Sequence, residues 1–152
     1  MTIINWNDGR LITLSKGEQA RCQGFLSPEN TYGIFFYNIA GNPSTTTMQV
    51  EFSQERPTVE VMVPGIAEDQ GLAAICFIDG SKTNAVKVSF VEGQTDAQIE
   101  AMICRVNMPK NLVKDIEDNR LAINRNCYNF ETLNKFFDPP TNQWYEMTCA
   151  AI

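Results

Sequence analysis

With 152 residues, 12 basic against 18 acidic side chains and a net charge of −6, the chain has the size of one domain and no basic patch to follow a phosphate backbone or an anionic membrane. Apolar residues make up 43% and charged residues 20%, which excludes a disordered or low-complexity chain and leaves enough apolar surface for a core without a metal or disulfide. The opening Met1-Thr2-Ile3-Ile4-Asn5-Trp6-Asn7-Asp8 lacks the basic and apolar regions of a secretion signal, and no run approaches the ~18 apolar residues of a membrane span. The expectation is a cytoplasmic protein that binds no nucleic acid and does not insert into membranes.

Short apolar runs closed by turn residues recur along the chain, as in a β-rich domain. Arg10 to Leu14 is the first candidate strand, and after Ser15-Lys16-Gly17 the stretch Glu18 to Phe25 reads as a more polar return strand. Tyr32 to Ile39 carries Ile34, Phe35, Phe36 and Tyr37 in succession, as an interior strand covered on both faces requires. Met48, Val50 and Phe52 then alternate with Thr47, Gln49, Glu51 and Ser53 at a period of two, and the mate Thr58 to Val63 presents Val59, Val61 and Val63 on one face. Leu72 to Ile78 reads as another central strand. Asp79-Gly80-Ser81 leads from it into a partner with Val86, Val88 and Phe90 on one face, a hairpin closed by Gly93.

After Gly93 the period changes. Thr95 and Gln98 have capping-box spacing, and Ile99, Met102, Ile103 and Val106 repeat at helical intervals, which predicts a helix from Asp96 to Asn107. Met102, Cys104, Val106 and Met108 also alternate, the competing strand pattern. Beyond Leu112 the pattern weakens into Asn-rich turns and a last strand from Trp144 to Cys149. Together these elements predict a single domain over residues 1–152. Residues 1–93 form an antiparallel β-sandwich of jelly-roll-like type, and residues 94–152 form a helical or mixed carboxy-terminal segment packed on it.

The complete absence of histidine removes the Ser-His-Asp and Cys-His nucleophilic sites, His-ligated zinc and the commonest general base. No glycine-rich phosphate loop is present, and no cofactor is expected. The five cysteines, Cys22, Cys76, Cys104, Cys127 and Cys149, are odd in number and widely spaced, which fits buried free thiols in a reducing compartment.

Three constellations remain. If Ser53 faces Thr58 across a four-residue connection, Glu51 faces Glu60 with Cβ atoms about 5 Å apart, a carboxylate pair that a retaining glycosidase would use and that Arg56 or Lys87 would otherwise neutralise. Oxygen-rich stretches at Asn5-Trp6-Asn7-Asp8, at Glu68-Asp69 and at Asp79, Ser81 and Asn84 have ligand atoms for calcium, although turns need the same residue types. The Pro-stiffened stretch with Asp138, Asn142, Gln143, Trp144 and Tyr145 sets flat rings beside amides and a carboxylate, a surface suited to sugars or peptides. The leading expectation is therefore a non-catalytic binding or assembly module that recognises a glycan or protein partner through surface loops. A carboxylate-dependent hydrolase using Glu51 and Glu60 is the first alternative, and a subunit of a homo-oligomer, with part of the apolar surface of Tyr32 to Ile39 owed to a neighbouring chain, is the second.

Overall fold

The structure is a computed structural model that describes residues 2–39, 45–53, 58–63, 65, 72–91 and 98–106, together with the backbones of four short strands further on. The elements are β1 (Thr2–Asn5), β2 (Ile12–Ser15), β3 (Glu18–Gln23), β4 (Thr31–Asn38), β5 (Thr46–Phe52), β6 (Val59–Val63), β7 (Leu72–Asp79), β8 (Ala85–Phe90) and β9 (Gln98–Val106), then β10 (Cys127–Asn129), β11 (Lys135–Asp138), β12 (Gln143–Glu146) and β13 (Cys149–Ala150). No helix occurs among the described residues, so none is long and apolar enough to cross a membrane.

Two sheets carry the fold. The first has the order β1-β3-β8-β5-β6, and the second β10-β7-β4-β9-β13 with β2 also paired to β9. Among the described residues all pairings are antiparallel except β1 with β3. Between β2 and β9 only β5 and β6 follow one another within a sheet; every other link passes from one sheet to the other. The two further hairpins expected from sequence are thereby corrected. β3 does not return along β2, because Lys16 and Gly17 carry the chain across to the first sheet, and β7 and β8 likewise lie in different sheets.

Alternation decides which side chains meet between the sheets. Ala20, Cys22, Met48, Val50, Val59, Val61, Val63, Val86 and Val88 from the first sheet join Ile12, Leu14, Tyr32, Ile34, Phe36, Ala74, Cys76, Ile78, Ile99, Ala101 and Ile103 from the second in one buried cluster. Phe52, at the end of β5, is only partly buried against it. β4 lies between β7 and β9, and Phe35, Ile75 and Phe77 are buried outside that cluster, on the second sheet's other face. Burial on both faces is what the unbroken apolar run of β4 encodes.

The same double burial explains the correction at residues 98–106, which form β9 rather than a helix. Ile99, Ala101 and Ile103 enter the shared core while Cys104 and Val106 are buried apart from it. Apolar residues on both faces fill in the alternation, and the filled pattern also satisfies a helical period. The β-core therefore runs past residue 93 to Val106.

At the far end of β4 the buried Asn38 ties the sheets together. Its Nδ2 donates to the Val63 carbonyl at 3.0 Å and its Oδ1 accepts from Thr46 Oγ1 at 3.3 Å. At the opposite end Gly80 N–H donates to the Asn30 carbonyl at 3.0 Å, and a Cβ at Gly80 would collide with the carbonyl oxygens of Ser27 and Asn30. Only glycine permits that approach.

Candidate groove at the loop end

β1 runs parallel to β3 with Asn5 opposite Arg21, then turns sharply at Trp6-Asn7-Asp8-Gly9. Gly9 N–H donates to the Trp6 carbonyl at 2.9 Å, and Gly9 takes a φ of 66°, a left-handed conformation that glycine adopts without cost. Trp6 is fully buried and is held from both directions: its backbone N–H donates to Arg21 O at 2.8 Å and its indole Nε1 to Arg10 O at 2.6 Å. The Gly9 carbonyl accepts from Ile103 N in β9 at 2.8 Å. The turn is thus pinned to both sheets at once.

Above this pin lies an open groove of about 530 Å³ lined by Asn5, Asn7, Asp8, Arg10 and Phe25. Each polar residue fixes the turn with one atom. Asn5 Oδ1 accepts from Asn7 N at 3.1 Å, Asn7 Oδ1 from Gln23 N at 2.9 Å, and Asp8 Oδ1 from Arg10 N at 3.2 Å and Arg10 Nη1 at 3.0 Å. The second amide or carboxylate atom of each, and the remaining guanidinium nitrogens of Arg10, have no partner among the described residues. The Arg10 backbone N–H holds the Asp8 carboxyl below its usual range, with the guanidinium adding to the effect, so Asp8 is an acceptor throughout the neutral range. Phe25, beyond Gly24, is 58% exposed beside these groups.

Neighbouring loops stiffen the same end. Gly24 N–H donates to Asn84 O at 3.0 Å, Asn84 N–H to Ser53 Oγ at 3.1 Å, and the Ser53 and Thr83 hydroxyls lie 2.7 Å apart. Ser27 N–H donates to the Tyr32 hydroxyl at 2.7 Å. A surface already ordered loses little freedom on binding.

No family model, curated protein or solved structure matches this chain. The chemistry of its groove must be read from its own residues.

The residues singled out in the sequence are placed as follows. The β5–β6 register pairs Gln49 with Glu60 and Val50 with Val59, so Glu51 and Glu60 are diagonal rather than opposite, a shift of two from the expected register. Glu51 instead faces Lys87 of β8, with Nζ–Oε2 at 2.6 Å, and its Oε1 accepts from Gln49 Nε2 at 3.0 Å. Asp79 Oδ1 accepts from Ser81 N at 2.9 Å and Ser81 Oγ at 2.7 Å, closing its own turn, while Asn84 serves the Ser53 loop. No cluster of three or more His, Cys, Asp or Glu side chains suited to a metal occurs among the described residues. Glu68 and Asp69 lie outside the described residues. In the carboxy-terminal stretch, β11 and β12 pair Asp138 with Gln143, Phe137 with Trp144 and Phe136 with Tyr145, and Asn142 lies outside the described residues. Cys22, Cys76 and Cys104 are buried free thiols.

Arg10, Arg21 and Phe25 escaped the sequence reading. Phe25 was masked by its place at the end of the strand expected from Glu18; β3 ends at Gln23, and Gly24, at a φ of 73°, turns the chain before the ring.

Proposed function

We propose that this chain is a non-catalytic glycan-binding module whose ligand lies in the groove of Asn5, Asn7, Asp8, Arg10 and Phe25. The observation that carries the reading is the pairing of an exposed aromatic ring with unpartnered amide, carboxylate and guanidinium atoms on a turn pinned to both sheets. A sugar presents one apolar face and a rim of hydroxyls that both donate and accept, and this set offers a flat ring and both kinds of partner. The scaffold we read is a jelly-roll sandwich. The orders β2-β9-β4-β7 and β3-β8-β5-β6, with β5–β6 as the single within-sheet link from β2 to β9, support that wiring, and jelly rolls are frequent among lectin domains.

Binding on an oligosaccharide array tests the proposal. Phe25→Ala should remove most of the signal while leaving the melting temperature within about 2 °C, because an exposed ring contributes little to folding. Retained binding in that variant, or no binding by the wild type to any glycan, overturns it.

A further inference from the structure

Asn5, which lines the groove, also begins a row of side chains across the first sheet. Asn5 of β1 is the register partner of Arg21 in β3, Arg21 of Lys87 in β8, and Lys87 of Glu51 in β5. One rung thus crosses four neighbouring strands, each about 4.8 Å from the next. Beside the rung lies a hollow of about 250 Å³ lined by Arg21, Gln23, Glu51, Ser53 and Lys87 among others.

Charge along the rung is unbalanced. Lys87 holds one oxygen of Glu51 and Gln49 the other, so the only carboxylate of the rung is engaged. Arg21 has Lys87 on one side and Asn5 on the other. Its guanidinium makes no hydrogen bond or ion pair among the described residues, and its Nε is buried with no acceptor. A buried unpaired donor on a cation is costly, and an oxyanion is the partner that satisfies it best, through the two-pronged geometry that guanidinium offers. The acidity of the rest of the chain makes this local excess of positive charge the more distinctive.

Building on the glycan reading, we propose that the ligand is an acidic glycan: a sugar ring sits at Phe25 and the Asn5–Arg10 turn, and an oxyanion of the same or the adjoining residue, a uronate carboxylate or a sulfate ester, binds Arg21 with Lys87 beside it. Asn5 lines the groove and is the register neighbour of Arg21, which sets the two parts side by side.

Two measurements test this. In the first, matched neutral, uronate-containing and sulfated oligosaccharides are titrated at fixed ionic strength against the wild type and Arg21→Gln. The wild type should prefer at least one acidic series about tenfold or more, the worth of one charge-assisted hydrogen bond, and Arg21→Gln should abolish that preference. The series preferred identifies the oxyanion. Neutral and acidic glycans bound equally well by the wild type, or a preference that survives in Arg21→Gln, overturns the inference and leaves the glycan reading standing. In the second, the Arg21 Nε–H resonance is followed during titration with free glucuronate, free sulfate and glucose. A saturable shift with either anion and none with glucose supports an oxyanion site even if no oligosaccharide binds, whereas no shift with both anions overturns it.

Discussion

Lys87 Nζ lies 2.6 Å from Glu51 Oε2 across the β5–β8 pair, and this contact, not one between Glu51 and Glu60, sets the electrostatics of the first sheet's outer face. Both side chains are about one-third exposed, so solvent screens the pair. Glu51→Gln should therefore cost only about 0.2–1 kcal/mol in chemical denaturation, and Glu60→Gln, opposite Gln49 on an edge strand, should stay within about 0.5 kcal/mol. A hydrolytic activity lost in either variant with the fold intact would favour the carboxylate enzyme over the binding module.

Trp6 separates the stability of the groove from its chemistry. Trp6→Phe keeps most of the buried ring but removes the indole donor to Arg10 O, which should cost about 1–3 kcal/mol by leaving that carbonyl short of a partner. Trp6→Ala should cost about 3–5 kcal/mol. Urea unfolding measures both. Equal, small losses would show that the turn is not anchored through this side chain.

Asn38 is buried between the sheets, so losing its amide leaves the Val63 carbonyl and the Thr46 hydroxyl without that partner. Asn38→Leu should destabilise by about 1–3 kcal/mol despite its added apolar surface. It should leave oligosaccharide binding untouched, since Asn38 lies at the opposite end of β4 from the groove. A stabilised variant would mean that the polar clamp is dispensable.

Cys22 adds an alkaline pH dependence to stability. Burial raises its thiol to about 11 from an ordinary 9.0, and the charge of Asp8 adds to the shift. The unfolded chain releases the proton first, so the contribution is complete below pH 9 and declines as the pH climbs toward 11. Thermal unfolding should show that decline, and Cys22→Ala should flatten it while removing some packing. A wild-type curve flat across this interval would place the thiol in a more solvated setting.

Some of this architecture was legible in the chain alone. A period of two assigns each side chain of β5 and β6 to a face, and the run in β4 reports burial on both. Turn residues such as Asp79-Gly80-Ser81 closed strands where the structure closes them, because their side chains bond their own backbone. The missing histidine narrowed the chemistry before any fold was known. Neighbourhood is another matter. A register shift of two returns every side chain to the same face, so the apolar pattern of β5 and β6 could not separate a Glu51–Glu60 rung from a Gln49–Glu60 rung. Residues 98–106 are apolar on both faces and fit two periods, and only their place between β4 and β2 decided for a strand. The groove depends most on tertiary structure: Phe25 reaches Asn5 and Arg10 through a parallel pairing of β1 with β3, and Arg21 has no partner among the described residues because β8, distant in sequence, brings Lys87 to the one carboxylate within the rung. Local pattern records burial, whereas the partner of a charge is chosen by strands that meet only when the chain has folded.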